Sequence, residues 1–315
     1  NFCNPVFTHR HLGSAYPIQY VGHADLVETS RGDWYMVMLA VRPLKGYTTL
    51  GRETFLARVI WEKDWPVVNP GVGMLTDTVE INLPEWKPET VINQKEKYYD
   101  FTKQRSLGAE FLTIRNPQEG SYTPTEKGLQ ISFGKYTLKE KESPSYLALR
   151  QENHFFEAAA VLSTANLSER KKAGIALVQS NEYHLRAEVS RGAAGKIKIK
   201  GFLCKGGQDE LVCSREILLT GETLSLHLRV KGLTAEMFWE SEETGEDSLL
   251  FDKLDISSLS TEAAGGFVGC TVGMYAVEEE ETVSGAAGSG EYALFISFRY
   301  QELSEVFWER EGEYR

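Results

Sequence analysis

Short stretches of apolar or alternating residues recur along the whole chain and predict β-strands rather than helices. Residues 34–41 are apolar at nearly every position, which is typical of a strand buried between its neighbours. Residues 26–29 precede this strand across a polar turn, and residues 54–61 follow it after a loop that contains glycine and proline. The start of the chain is therefore predicted to form one antiparallel sheet of three or four strands.

A second, longer series of predicted strands follows. Its members are short, mostly alternate between apolar and polar positions, and are bounded by turn residues. They cover residues 111–114, 129–133, 145–149, 154–162, 173–178, 184–189, 196–204, 211–218, 224–230, 235–239, 267–277 and 292–300. So many strands in roughly 200 residues indicate a large antiparallel sandwich. No segment predicts a long helix, and the predicted fold class is all-β.

A change of composition separates the two predicted regions. Residues 77–104 contain Pro84, Pro88, several charges and no sustained period, and they are interpreted as an ordered linker. The predicted organisation is a first sheet at residues 1–76, this linker, a sandwich at residues 105–303 and a charged tail at residues 304–315.

Charge and hydropathy exclude two classes of partner. The chain has 34 basic and 45 acidic residues, a formal net charge of −11, which argues against the basic face that a nucleic-acid-binding protein needs. No apolar run approaches the roughly 18 residues that span a bilayer. We therefore expect neither a nucleic-acid nor a membrane partner. The first residue is Asn1 rather than methionine, which fits a processed or truncated product, and the compartment stays unassigned.

The cysteines allow two interpretations. Cys204 and Cys213 flank a turn at residues 205–209, so they are candidates for a disulfide across a hairpin. The alternative is a pair of buried thiols. Cys3 and Cys270 are interpreted as packing residues.

Three segments of the first sheet carry a family resemblance. They are GHADLV at residues 22–27, LGRETFL at residues 50–56 and WEKDWPVVN at residues 61–69. Together they resemble the last propeller blade of the family 43 glycoside hydrolases, which include β-xylosidases and α-L-arabinofuranosidases. The resemblance implies the terminal blade of a five-bladed β-propeller.

Three segments of the second region extend the resemblance in the same order. They are SLGAEFLTIRNP at residues 106–117, YLALRQ at residues 146–151 and GGFVG at residues 265–269. They resemble the concanavalin-like antiparallel β-sandwich that follows the propeller in many family 43 enzymes. Both regions thus resemble parts of one two-domain enzyme.

The resemblance implies an inverting hydrolase that removes terminal xylose or arabinose from xylan-type oligosaccharides without an organic cofactor. Inversion needs one carboxylic acid and one carboxylate with a water between them. In the family these groups lie on earlier blades, the acid in a Glu-Gly-Pro-His type of segment, and no such segment occurs here. We therefore expect the chain alone to be inactive. Its expected partners are the oligosaccharide and the missing N-terminal blades, on a second polypeptide or on a longer chain.

Three residues match family positions that line the sugar site. His23 matches a histidine near the propeller axis that in some members helps to hold a central calcium; the alternative is a core histidine. Arg52 matches an arginine that reaches the catalytic carboxylates and the sugar, and its fork of donors suits both; the alternative is a surface ion pair. Phe267 matches an aromatic wall that a loop of the sandwich supplies; the alternative is a core residue.

Two carboxylates near these motifs are not assigned to catalysis. Glu53 begins a predicted strand beside an arginine, which is typical of a structural ion pair. Asp25 shares a strand face with His23, but the family gives it no proton-transfer role.

Two other functions stay open. The chain is alternatively a non-catalytic, lectin-like carbohydrate-binding sandwich, in which aromatics such as Trp239 stack on sugars. It is also compatible with a remnant whose sandwich only stabilises or oligomerises its parent.

Overall fold

The structure is a computed structural model that describes residues 4–81, 95–279 and 292–304. Its first region is a four-stranded antiparallel sheet in which consecutive strands are neighbours. The strands are β1 (Gln19–Glu28), β2 (Trp34–Val41), β3 (Glu53–Glu62) and β4 (Trp65–Val68). This order is that of a single propeller blade.

The apolar strand β2 is central in this sheet, between β1 and β3. Met36, Met38 and Ala40 point to one face and pack in a small core with Ile18 and Leu75. The continuous apolar pattern of residues 34–41 therefore reflects burial between strands, as predicted.

Fifteen strands follow the blade. They are β5 (Glu96–Asp100), β6 (Leu112–Thr113), β7 (Tyr122–Thr125), β8 (Gly128–Ser132), β9 (Ser145–Arg150), β10 (Phe155–Ser163), β11 (Lys171–Val178), β12 (His184–Arg191), β13 (Ile197–Lys205), β14 (Gln208–Ile217), β15 (Thr223–Lys231), β16 (Thr234–Ser241), β17 (Asp247–Asp255), β18 (Thr271–Glu278) and β19 (Tyr292–Glu302). The only α-helix in the described residues is the single turn α1 (Thr261–Ala264). The all-β prediction is confirmed.

These strands form two antiparallel sheets. One sheet runs β17-β16-β15-β10-β19-β8-β7, and β5 also pairs with β19; the other runs β14-β13-β12-β11-β18-β9-β6. Alternate side chains of both sheets meet in one large core that includes Phe156, Ile175, Leu226 and Phe298. Strands with one face in the core and one outside produce the alternation seen in the sequence.

Strand β5 changes the predicted boundary between linker and sandwich. Residues 96–100 pair with residues 297–301 of β19, and Tyr99 and Phe101 enter the sandwich core. The linker prediction over residues 77–104 thus included a strand of the sandwich, because a short polar segment is stabilised as a strand by its distant partner. Residues 82–94 of the linker and residues 305–315 of the tail lie outside the described part of the chain.

Two side-chain expectations are corrected. Trp239 is 5% exposed in the sandwich core, so it does not offer a ring to a sugar. Cys204 and Cys213 are free thiols. A bulge in the β13–β14 ladder pairs Cys204 with Asp209 and Cys213 with Gly201, and only Cys213 enters the core. The two thiols therefore lie on opposite faces of the sheet and form no disulfide. Cys270 is buried, as expected, and Cys3 lies outside the described residues.

Candidate functional site

The loop that precedes β3 is in backbone contact with the segment of α1 and the turn that precede β18. Thr48 O accepts a hydrogen bond from the amide of Thr261 (3.0 Å), and Thr49 O accepts one from Cys270 (2.9 Å). Gly51 adopts a positive φ of 67° and lies so close to Gly269 that a methyl group on Gly51 would overlap the Gly269 backbone. A methyl group on Gly269 would likewise overlap the carbonyl of Leu50. The blade motif LGRETFL and the sandwich motif GGFVG thus meet at one junction.

Two charged side chains of the sandwich hold the blade loop. The Arg150 guanidinium donates to Leu50 O (2.6 Å) and Arg52 O (3.0 Å). The Glu262 carboxylate accepts from the amide (2.6 Å) and the hydroxyl (2.8 Å) of Thr48. Burial favours the neutral acid, but the hydrogen bonds from Thr48 hold the pKa of Glu262 below its usual value. The loop is therefore fixed from both of its ends.

Two of the three predicted lining residues are brought together at this junction. The guanidinium carbon of Arg52 lies 4.5 Å from the centroid of the Phe267 ring, a cation–π geometry. Phe267 is 67% exposed and does not belong to the core. Within the described ranges Arg52 makes no salt bridge. The pair therefore presents a permanent positive charge and an apolar ring edge to solvent.

His23 lies at the same end of the blade but apart from this pair. It is exposed, has a positive φ of 48° and sits in an irregular part of the β1–β2 ladder between Gly22 and Asp25. Gly22 pairs with Leu39, which in turn pairs with Thr54 of β3. Two strand spacings, about 10 Å, therefore separate the backbone at His23 from that of the Arg52 loop.

His23 is not the core histidine of the alternative interpretation, since its side chain is exposed. Calcium takes six to eight oxygen ligands, and His23 belongs to no group of three metal-ligating side chains in the described part of the chain. The residues present do not by themselves make a calcium site.

Glu53 forms a structural ion pair, although not with its neighbour. Its carboxylate accepts two hydrogen bonds from Arg42 (2.9 and 2.7 Å), and Arg42 also donates to Glu152 O (3.1 Å). The hydrogen bonding of Glu53 raises the pKa of Arg42. Because Arg42 binds both carboxylate oxygens of Glu53, Glu53 does not pair with its neighbour Arg52. Asp25 is exposed on β1.

Comparison with protein families agrees with both halves of this junction. The family described as Beta xylosidase C-terminal Concanavalin A-like domain matches residues 98–301, more than half of the chain, and Glycosyl hydrolases family 43 matches residues 3–66. The chain belongs to glycoside hydrolase family 43. The resemblance drawn from the six motifs is confirmed, as is the fold: a propeller blade followed by a concanavalin-like sandwich.

Proteins similar to this chain are named as xylosidases, arabinosidases or GH43 proteins. A xylosidase/arabinosidase of Butyrivibrio fibrisolvens is 40% identical over 303 residues, which cover 95% of this chain and 56% of that protein. The non-reducing end alpha-L-arabinofuranosidase BoGH43B of Bacteroides ovatus is 30% identical over 281 residues, covering 87% of this chain and 50% of that protein. The crystal structure of the GH43 protein BlXynB from Bacillus licheniformis superposes with a TM-score of 0.77 at 25% identity, over 95% of this chain and 56% of that one. The chain thus spans about half the length of the relatives it matches.

One group of metal-ligating side chains occurs in the described residues of this family 43 chain, away from the junction. His184, Cys204 and Asp209 have ligand atoms within 4.8 Å of one another. However, Arg186 donates to both Asp209 oxygens (2.8 and 2.9 Å) and to His184 Nε2 (3.2 Å). A guanidinium already occupies the cation position, so the group is a structural network.

The electrostatics of this network agree with that interpretation. Burial lowers the pKa of His184 to about 4. For Asp209 burial acts in the opposite direction, but the hydrogen bonds and charge of Arg186 prevail and lower its pKa to about 2. The histidine is therefore neutral and the aspartate ionised at neutral pH.

A groove on the outer face of the sandwich is also separate from the junction. It has a volume of about 630 Å³ and is lined by strands β11 to β14, with Lys172, Glu188, Lys198 and Lys200 among its residues. The residues that line it carry both charge signs, and none of those described is an aromatic ring that could stack on a sugar. Among the described residues no helix has the length and apolar character of a membrane span.

The sequence analysis missed Arg150 and Glu262. Arg150 lies within the sandwich motif YLALRQ and ends a strand whose first five residues are buried, but that motif assigned it no role. Glu262 lies in a segment with no motif, and nothing in the sequence relates it to Thr48.

Proposed function

We propose that this chain is the C-terminal part of an inverting glycosidase that cleaves terminal xylose or arabinose from xylan-type oligosaccharides. The single observation that carries the proposal is the stacking of Arg52 on Phe267 at the blade–sandwich junction. The named activities of the related proteins, xylosidase/arabinosidase and alpha-L-arabinofuranosidase, support the substrate class.

In this proposal the chain supplies binding and electrostatic groups, and the catalytic carboxylates lie outside it. The Arg52 guanidinium donates hydrogen bonds to a sugar hydroxyl and to a catalytic carboxylate, holding that carboxylate ionised. Phe267 offers an apolar wall to the sugar and limits the depth of the pocket. His23 approaches the base from β1. A central calcium would draw its other ligands from the preceding blades.

The proposal includes a partner for the blade, namely the N-terminal propeller blades of the same enzyme. Strand β1 is an edge of its sheet and is exposed along most of its length. Leu26 and Val27 are exposed apolar residues on it. An exposed apolar edge strand is a template for another strand or sheet. We therefore expect the isolated chain to associate, and a monodisperse, well-folded chain in light scattering would contradict this part.

The test is a chimera in which the part of the Butyrivibrio fibrisolvens relative that precedes the match is fused before this chain. We expect hydrolysis of p-nitrophenyl xyloside or arabinofuranoside by the chimera and none by the chain alone. Arg52→Ala is expected to lower kcat/KM by about 100-fold. The matched control is Arg58→Ala, an exposed arginine on the strand β3 that follows the Arg52 loop. A folded chimera without activity, or equal losses in the two variants, would overturn the proposal.

The lectin-like alternative has lost its main support, because Trp239 is buried in the core. It is tested by titration calorimetry of the isolated chain with xylo-oligosaccharides. Binding that persists in the Arg52→Ala variant would favour it.

A further inference from the structure

We propose that Arg150 of the sandwich is a positioning residue for Arg52: it fixes the blade loop that presents the Arg52 side chain beside Phe267. The geometric part of this inference stands on the contacts alone. Its consequence for hydrolysis rests on the proposed function.

Arg150 is itself firmly placed. It is the last residue of β9 and pairs with Thr271 at the start of β18, and the next residue, Gln151, donates its amide to Cys270 O (2.9 Å). The main chain that carries Arg150 is therefore bonded to the turn that carries Phe267. Arg150 and Phe267 therefore lie on segments of the sandwich that are joined by main-chain hydrogen bonds.

From its place at the end of β9 Arg150 reaches the carbonyls on both sides of Gly51. Its terminal nitrogen lies 2.6 Å from Leu50 O and 3.0 Å from Arg52 O. These charge-assisted bonds fix the direction of the chain at the left-handed Gly51, where the backbone turns toward β3. The Cα of Arg52, from which its side chain extends, is consequently held at a fixed position relative to the Phe267 ring.

No strong side-chain contact of Arg52 itself takes over the role of the Arg150 hydrogen bonds. In residues 4–81, 95–279 and 292–304 Arg52 has no carboxylate partner, and its side chain is exposed. Cation–π contact at an exposed site is weak, so the ring alone does not order the guanidinium. The loop geometry that Arg150 fixes therefore determines the position of the Arg52 guanidinium.

The first test uses this chain as it is. Arg52 side-chain protons above the Phe267 ring should show upfield ring-current shifts in NMR spectra of arginine-labelled protein, with Phe267→Leu as the baseline. We expect Arg150→Met to remove at least half of that shift and Arg150→Lys, which keeps one charged donor, to retain more of it. Arg58→Met is the control and should leave the shift unchanged. A full shift in folded Arg150→Met would overturn the inference; if that variant does not fold, Arg150→Lys decides, and its unchanged shift would overturn it.

The second test is a double-mutant cycle in the chimera. We expect Arg150→Met to lower kcat/KM by about 10- to 100-fold, mainly through kcat, because small displacements of active-site groups are costly. In the Arg52→Ala background the same change should cost less than about twofold. A purely structural role would give equal losses in both backgrounds and would overturn the inference. An inactive chimera that carries both arginines would count against the proposed function, while the NMR result would still decide the role of Arg150.

Discussion

The blade and the sandwich are both antiparallel, but they bury their strands to different degrees. In the sandwich two sheets cover each other, and consecutive residues of β12 are buried on both faces. In the blade β2 is buried while β1 is exposed along most of its length. The sandwich therefore buries strands on both faces, whereas the blade has a small core of its own and leaves one edge strand exposed.

The two regions also differ in how they use charge. On the outer face of the sandwich Glu157 accepts hydrogen bonds from Arg229 (2.8 Å) and Arg299 (2.6 Å) and lies beside His227. Burial would raise the pKa of Glu157, but its hydrogen bonds to His227 and Arg229 lower it to about 2. At the junction, by contrast, Arg52 has an aromatic ring as its partner. Charge thus stabilises the sandwich and is left available at the proposed site.

The largest expected effect concerns the contact between the two regions. Gly51→Ala adds a methyl group against the backbone of Gly269 at a positive φ, and we expect about 4 kcal/mol of lost stability. The matched control is Gly46→Ala, which has a positive φ but open space and should cost about 1 kcal/mol. Urea denaturation of both variants measures the difference. Equal losses would show that the blade and the sandwich do not depend on this contact.

A second change tests the sandwich alone. Glu157→Gln removes the buried carboxylate that Arg229 and Arg299 share, although Glu236 still pairs with Arg229 and Glu96 with Arg299. We expect about 3 kcal/mol of lost stability because a buried ion-pair network loses its central charge. Glu126→Gln, at an exposed carboxylate, should cost less than about 0.5 kcal/mol. The thermal midpoints of the two variants provide the measurement. A shift of the same size in both would refute a stabilising role for the network.

The pH dependence of stability is the third expected effect. Burial lowers the pKa of His184 in the folded protein to about 4, below its usual value of 6.5. The unfolded chain therefore binds more protons between these values, and the free energy of unfolding falls as pH falls through that window. We expect a loss of about 2 kcal/mol between pH 7 and pH 5 from this residue.

Urea denaturation at several pH values checks this expectation against His184→Gln. The variant should be less stable than the wild type at pH 7, and the difference should shrink toward pH 5. A difference that does not change with pH would contradict a buried, neutral His184.

The smallest expected effect concerns the exposed strand of the blade. Leu26→Ser should change the stability of the isolated chain by less than about 0.5 kcal/mol, because Leu26 is already exposed. In the chimera the same change should cost about 2 kcal/mol if another blade covers the strand. Equal values in the two proteins would argue against a neighbouring blade on β1.

Sequence reasoning was sufficient for most of the strands, the all-β class and the family, but it predicted no strand at β7 or β17. Period-two patterns and short motifs are local, so they can be read without knowledge of partners. The motifs also identified Arg52 and Phe267 separately, and the structure places them in contact. For the linker the same reasoning failed at residues 96–100, because strand β5 is polar and exists through its pairing with β19.

What the sequence by itself determined is therefore the fold class, most of the strands and the residue types at the blade and sandwich motifs. Only the tertiary structure decided that Glu53 pairs with Arg42, that Cys204 and Cys213 face apart and that Trp239 is core. It also decided that Arg150 holds Leu50 and that Glu262 holds Thr48, contacts between residues 100 and 214 positions apart. Such contacts depend on how the blade packs against the two sheets of the sandwich, and a local pattern of side chains does not specify that packing.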